Sequence, residues 1–368
     1  MGNYYDATVV RPQRAALAGD ITARVCIIGA GFAGLATALG LLERGVGGVV
    51  VLDAQQVGFG ASGRNGGFVF GGYSLDCADL LAQLGPQQAR AAYALTRDAL
   101  RLIRARIARH AIDCDAVEGG ALLVNWFDDD AILRRQQTLM AEHFGVEWEL
   151  IAKPQLDAMV RSDRYFGALL ERDAFHFHPL KYALGEAAAI ESLGGRVFEH
   201  SAVTGIERQS QGLRVHTAGG TLRAEQVVVA AGGYLSGLVP QLERAILPIA
   251  TYVMVTEPLG ERLQQWLPSR AAIYDTRFAF DYYRALPDTR LLWGGRIAVL
   301  ERSPADIARF LKRDMVKVFP ALHDAKVEFA WGGMMSYARH KMPQIGRLPD
   351  SGPWYGLGFG GHGVAPTT

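Results

Sequence analysis

The chain has 368 residues, 49% of them hydrophobic and 20% charged, with a formal net charge of +1. That length exceeds the size at which a single core keeps growing, so two intimately packed domains are expected. Near-neutrality argues against nucleic acid or an anionic membrane surface as a main partner. Three cysteines without ligand spacing indicate neither a disulfide framework nor a metal site. The first twenty residues carry Asp, Arg and Pro without an apolar core, and no run is long enough to span a bilayer. A cytoplasmic chain with no transmembrane segment, no metal and no nucleic-acid partner is the expectation.

Ala23 to Ile28 is a short apolar run and predicts a strand. Gly29-Ala30-Gly31-Phe32-Ala33-Gly34 follows at once, then a helical pattern through Leu35, Leu39 and Leu42. A second apolar run, Val49 to Leu52, ends on Asp53, with Ala54 beyond it. Strand, GxGxxG, helix, strand and acid each have a task with a dinucleotide. Gly29 permits the tight turn, Gly31 lets backbone approach a pyrophosphate, and Gly34 lets helix pack on strand. The helix N-terminus at Phe32 and Ala33 offers free N–H groups, and Asp53 can accept from ribose hydroxyls.

Further along, Gly58 to Gly67 is a glycine-rich loop, and residues 86–112 predict a long helix with Pro86 in its first turn. Its Arg97, Arg101, Arg104 and Arg109 read as a solvated face opposite Leu95, Ala99, Leu102 and Ile103. Gly120 to Asn125 predicts a strand, Asp129 to Phe144 a helix, Pro179 to Leu193 a helix and Arg196 to Glu199 a strand. Short strands and turns alternate from Ala202 to Val229, and Val227 to Ala231 ends on Gly232-Gly233. Residues 245–300, rich in β-branched and aromatic types, predict an antiparallel sheet. A helix capped by Ser303 covers 303–318. This order predicts two interleaved domains: a dinucleotide domain from 1–76, 151–235 and 333–368, and a second from 77–150 and 236–332.

Three further glycine loops bear on the cofactor: Ala61 to Gly67, Ala231 to Gly233, and Gly358 to Gly363. Any one of them could be a tight turn. Together with the opening motif they favour a long cofactor touched along its whole length, FAD rather than NAD.

With these loops the chain resembles the D-amino-acid-oxidase-like family of FAD-dependent amine oxidoreductases, and within it the bacterial γ-glutamylputrescine oxidases. The resemblance rests on the Gly29 to Gly34 fingerprint, GFGASGRNGG at Gly58 to Gly67, SDRYFGALL at Ser162 to Leu170 and HPL at His178 to Leu180. It also rests on DYYR at Asp281 to Arg284, LLWGG at Leu291 to Gly295, MPQIGRL at Met342 to Leu348 and GGHGV at Gly360 to Val364. It implies an α/β fold in which a Rossmann-like FAD domain of the glutathione-reductase type interleaves with an antiparallel-sheet substrate domain. It implies that Gly29, Gly31, Phe32, Ala33, Gly34, Asp53 and Ala54 hold the ADP half of FAD, with Val203 at the adenine. Ser62, Gly63, Arg64, Asn65, Gly66 and Gly67 would line the ribityl and isoalloxazine side, and Ala231 and Gly232 the ribityl-phosphate neighbourhood. Gly360, Gly361, His362, Gly363 and Val364 would aim N–H groups at the flavin pyrimidine edge, where reduced flavin carries negative charge.

Departures from relatives carry information too. Monomeric sarcosine oxidases activate oxygen with a lysine whose position falls on Trp293, which leaves oxygen or another electron acceptor open. Their covalent flavin cysteine falls at Met334-Met335, so FAD is expected to be non-covalent. Their carboxylate-binding lysine falls at Ala365, which favours an amine remote from a carboxylate. Relatives continue beyond the GHG loop into a helix, whereas this sequence stops at Thr368, so either a longer chain or weakened cofactor binding is expected. The implied reaction is hydride loss from an amine C–N bond, then hydrolysis of the imine. Tyr283, Arg284, Trp293, Arg296 and His362 are the candidate substrate-side residues, with His176 and His178 expected to be structural. The alternatives are a glycine-, sarcosine- or D-amino-acid-type oxidase or dehydrogenase, and a catalytically silent flavoprotein subunit.

Overall fold

The last four side chains of the strand Ile21–Ile28 are all buried, as a strand covered on both faces requires. The computed structural model describes residues 2–368 and places this strand inside the first of two large sheets. It pairs in parallel with Val49–Leu52 on one edge and Gly220–Val229 on the other, and Arg196–Phe198 extends the parallel set. Trp354–Leu357 adds to the far side of Gly220–Val229, with Gln344–Arg347 outside it. Leu213–Thr217 and Val203–Arg208 form an antiparallel offshoot. In register, Ile28 lies opposite both Leu52 and Val229. Gly29, Asp53 and Ala230 therefore leave the sheet at one rim, the carboxyl end where open α/β sheets take ligands.

The second sheet runs Val327–Ala338, Ile246–Thr256, Leu291–Ala298, Tyr282–Ala285, Ala272–Asp275, Ala121–Val124, Ala168–Glu171 and Glu149–Ile151. Its pairings are antiparallel as expected, except that Ala272–Asp275 runs parallel to Ala121–Val124. The helix Pro304–Val318 packs on one face, and Ser303 Oγ accepts from the Asp306 N–H at 3.2 Å, the predicted cap. The other face looks toward the rim of the first sheet.

Strand membership corrects two of the expected boundaries. Ala168–Glu171 had been expected with the dinucleotide domain but pairs with Ala121–Val124 in the second sheet. Val327–Ala338 is one unbroken strand across the expected division at 332/333. Partner choice is a long-range matter that the local pattern of either segment does not encode. The predicted helix of 86–112 also begins earlier. An Asp76-capped segment from Cys77 precedes it, and Gly85 at φ 74° kinks the two together before Pro86. Asp130–Leu139 is helical as expected but finishes in a π turn, Met140–Phe144. The residues 245–300 also include a short helix, Glu261–Trp266. Arg97, Arg101, Arg104 and Arg109 make surface ion pairs with Asp173, Asp98, Glu118 and Glu43. Among the described residues no helix is long and apolar enough to cross a membrane.

Candidate cofactor and active site

The rim of the first sheet is shaped by glycine. Gly29 turns with φ 111°, and a Cβ on Gly34 would overlap the Gly29 carbonyl oxygen, so helix and turn touch backbone to backbone. Gly31 has no side chain to cap the helix Phe32–Glu43, and Ser62 does so instead: its Oγ accepts from the Phe32 N–H at 2.9 Å. Asp53 accepts from the Ala30 N–H at 2.6 Å and the Gln55 N–H at 2.8 Å. Burial pushes its carboxyl above the usual carboxylate range, against the lowering effect of those two donors. The acid predicted to meet a ribose thus also ties the glycine turn to the second strand.

From this rim a continuous cavity of about 1140 Å³ extends to the second sheet. That exceeds the roughly 300–1,000 Å³ of ordinary small-molecule sites and suits a long ligand with a substrate beside it. Asp53, Ala54 and Val203 line it, as do Gly31, Ser62, Arg64, Asn65, Gly66, Ala231 and Gly232 and the residues Gly360 to Ala365. Gly29, Phe32 and Ala33 also line it. The cradle a Cβ would fill, the helix N-terminus and the unbroken length fit FAD. Gly34, Gly63 and Gly67 do not line the cavity; each packs against a backbone carbonyl, of Gly29, Gly58 and Phe177 respectively. They shape the walls from behind.

Three expected substrate-side residues are not at the cavity. Tyr283 and Trp293 are both 0% exposed and stack on each other at 4.4 Å, on the face of the second sheet that carries the helix Pro304–Val318. Their neighbours Tyr282 and Gly294 take the cavity face instead, because adjacent strand residues point to opposite sides. A Cβ on Gly294 would overlap the Tyr282 ring, so the ring lies across that glycine. The glycine pair inside a strand was the available signal of such a close approach. With Trp293 behind the sheet, its bearing on the electron acceptor lapses.

Arg284 is buried beneath the Asn65–Gly67 turn. Its Nε donates to Gly66 O at 2.7 Å and its Nη2 to Phe177 O at 2.9 Å. It positions the turn and does not reach the cavity. Arg296 lines the cavity, but its Nε is held by Asp314 at 2.6 Å. His176 and His178 are structural as expected: His176 Nε2 meets Arg270 O at 2.9 Å, and His178 Nδ1 accepts from the Lys181 N–H. Burial, reinforced by Arg284, pushes both imidazoles down to about 3.

His362 does reach the cavity, edge-on to Phe70 at 4.9 Å, and its own N–H donates to Ser74 Oγ. Burial lowers its imidazole to about 4, so it is neutral at ordinary pH. Around it stand rings that the sequence reading missed. Phe70 stacks on Tyr274 at 5.3 Å and 7°, and Phe280 touches both Tyr274 and Tyr282. Met334 and Met335 complete this wall, and Ala365 lies buried at its edge. Phe70 stands some two hundred residues before the Tyr274–Tyr282 stretch and His362 eighty after it, so no local motif marks the set.

The chain belongs to the DAO family of FAD-dependent oxidoreductases: the family profile described as "FAD dependent oxidoreductase" matches residues 24–368. Among its relatives, the gamma-glutamylputrescine oxidoreductase of Escherichia coli (strain K12) is 40% identical over 95% of this chain and 82% of its own length. A probable oxidoreductase OrdL of Haemophilus influenzae is 32% identical over 94% of this chain and 80% of its own. Of solved structures, a glycine oxidase from Geobacillus kaustophilus superposes with a TM-score of 0.78 at 22% identity, covering 94% of this chain and 91% of that one. At that identity the likeness concerns the fold alone.

Proposed function

We propose that this enzyme oxidises the primary amine of a γ-glutamylputrescine-like substrate, with FAD held non-covalently. The observation that carries the substrate class is the uncharged wall of Phe70, Tyr274, Phe280, Tyr282, Met334 and Met335, edged by Ala365. An amino acid whose carboxylate adjoins the reacting carbon would find no unpaired cation in that wall, since Arg277 beside it is clamped by Asp275 and Asp281 and Arg296 by Asp314. A primary amine at the end of a longer chain needs none there. The 40% identity to an oxidoreductase named for γ-glutamylputrescine points the same way. The first sheet and its rim would hold the cofactor, with Gly29, Gly31, Asp53 and Val203 along the ADP half. Ser62 to Gly66 and Gly360 to Val364 would lie along the flavin half, and the second sheet would carry the substrate.

Bound FAD supplies a two-electron acceptor for the hydride on the carbon beside the neutral amine nitrogen. The protein's part is to hold that carbon in a water-poor chamber of aromatic rings, which favours the neutral amine over the ammonium form. The resulting imine takes up water to give an aldehyde and ammonia. No side chain in the wall is a strong base at neutral pH, and His362, neutral above about 4, can orient the amine by hydrogen bonding. The expected kcat/KM therefore rises with pH as the substrate amine deprotonates, without a histidine-like break near neutrality.

Non-covalent attachment is supported by thiol placement. Cys26 and Cys114 are buried away from the cavity, and Cys77 lines it with its thiol pushed up to about 12 by burial and nearby carboxylates. Such a thiol is protonated and a poor nucleophile. Acid precipitation of the purified protein should leave the yellow colour in the supernatant; flavin retained in the pellet refutes this. For the reaction, flavin bleaching under anaerobic conditions compares γ-glutamylputrescine, putrescine, sarcosine and D-alanine. The γ-glutamyl compound should reduce flavin about ten- to a hundredfold more efficiently than sarcosine or D-alanine. Faster bleaching by either amino acid instead would favour the amino-acid-oxidase alternative.

A further inference from the structure

Part of the cavity lining is not needed by the amine end of a substrate: Leu133, Gln136 and Trp148, with Asp76, Asp79 and Lys341. Of the cations at the cavity, Arg277 is clamped by Asp275 and Asp281, each at 2.6 Å, with its guanidinium over Trp126 at 3.7 Å. Arg296 is held by Asp314, and Arg64 lies back on Phe59 with its Nη1 donating to Gly332 O. Lys341 is different. Among the described residues the lysine ion pairs engage Lys153, Lys181 and Lys317, and Lys341 has none.

The backbone presents this lysine deliberately. It sits at φ 58°, a left-handed conformation that side chains seldom adopt, and its N–H closes a turn onto Ala338 O at 2.9 Å. The next residue, Met342, packs with Tyr73, Cys77 and Leu81 against the cluster around Leu75, Leu80 and Trp148. The loop is thereby fixed beside the start of the Cys77 helix, where Asp76 and Asp79 also lie. Asp76 Oδ1 is spent accepting from the Ala78 N–H at 2.8 Å, and no cation pairs with Asp79 among the described residues. Lys341 and the exposed Asp79, neither of them in an ion pair among the described residues, thus line the same cavity near the start of that helix, with Asp76 beside them.

We infer that this part of the cavity binds a zwitterionic amino-acid head group remote from the reacting amine, its carboxylate on Lys341 and its ammonium on Asp79. The inference rests on the proposed amine oxidation and gives it a reason to prefer a γ-glutamyl amide over a bare diamine. A simple diamine places no anion near Lys341, and a head group with both charges satisfies both residues. Each contact is charge-assisted, but Lys341 is only half-buried, so a contribution of about ten-fold in binding is expected.

The test uses the FAD-loaded enzyme and its Lys341→Asn variant. Asparagine removes the charge and tolerates the left-handed backbone better than most residues. Anaerobic flavin reduction is titrated with γ-glutamylputrescine, N-glutarylputrescine, which keeps the carboxylate but lacks the ammonium, and N-acetylputrescine, which lacks both. Lys341→Asn should raise the half-saturating concentration about ten-fold for the first two and leave N-acetylputrescine and the limiting reduction rates unchanged. Lys341→Arg should restore the preference, and Asp79→Asn should weaken γ-glutamylputrescine alone. Equal losses on all three compounds, or no loss on any, overturn the head-group site. Wild-type flavin that γ-glutamylputrescine fails to bleach overturns the underlying reading of function instead.

Discussion

Gly34→Ala is expected to yield a protein that no longer holds its flavin. The added Cβ would overlap the Gly29 carbonyl oxygen, and that contact is with backbone, so no side-chain torsion can relieve it. Overpacking of this kind costs about 1–3 kcal/mol. Here the strain falls on the turn proposed to let backbone approach a pyrophosphate. A loss of about 3 kcal/mol at that turn corresponds to roughly a hundredfold weaker binding. Gly40→Ala, in the same helix, is the control. Its Cβ would meet only guanidinium ends: that of Arg44 at 3.0 Å, which can swing aside, and that of the ion-paired Arg106 at 3.3 Å, which need give only a few tenths of an ångström. Flavin absorbance per protein after desalting reads both variants. Full flavin content in Gly34→Ala would show that the turn is not part of the cofactor cradle.

Arg284→Met should be the more destructive change for folding, although Arg284 touches no substrate. The side chain is 2% exposed and in no ion pair among the described residues; its close partners are carbonyl oxygens of Gly66 and Phe177, with the Tyr5 hydroxyl and His176 Nδ1 farther off. Two opposing effects must be weighed. Methionine relieves the desolvation of a buried cation, but it strands two buried carbonyl groups, at about 1–3 kcal/mol each. Because guanidinium is weakly hydrated and well satisfied here, the stranded carbonyls should dominate, with a net loss of about 2–4 kcal/mol. Gly66 lines the cavity, so flavin retention should fall along with stability. Removal of the cation should also let His176 and His178 rise from about 3, though burial, the larger cause, should keep both below the ordinary histidine value. Denaturant midpoints, flavin content and imidazole titration by NMR check the three effects. Unchanged midpoints and flavin content in Arg284→Met would remove the positioning role.

Much of the cofactor site is legible in the chain because its determinants are local. An apolar run, GxGxxG, a helical repeat and an acid after a second apolar run are consecutive in sequence, and each element specifies its own shape. Ser303 likewise announces its helix, and the alternation of strands and helices announces the fold class. The substrate side is not local. Tyr282 and Tyr283 are adjacent and chemically alike; only the sheet's placement between helix and cavity decides which ring faces the cavity, and a shift of one residue inverts the answer. Arg284 looks like a catalytic cation in sequence because nothing there shows that carbonyls from Gly66 and Phe177 enclose it. Periodicity and glycine spacing act within a few residues, so the candidate dinucleotide cradle, the family and the reaction class are legible along the chain. Which face of each strand lines the cavity, that Ala168–Glu171 joins the second sheet, and that Lys341 comes beside the start of the Cys77 helix are legible only in the folded chain, because they are choices among distant partners made by burial.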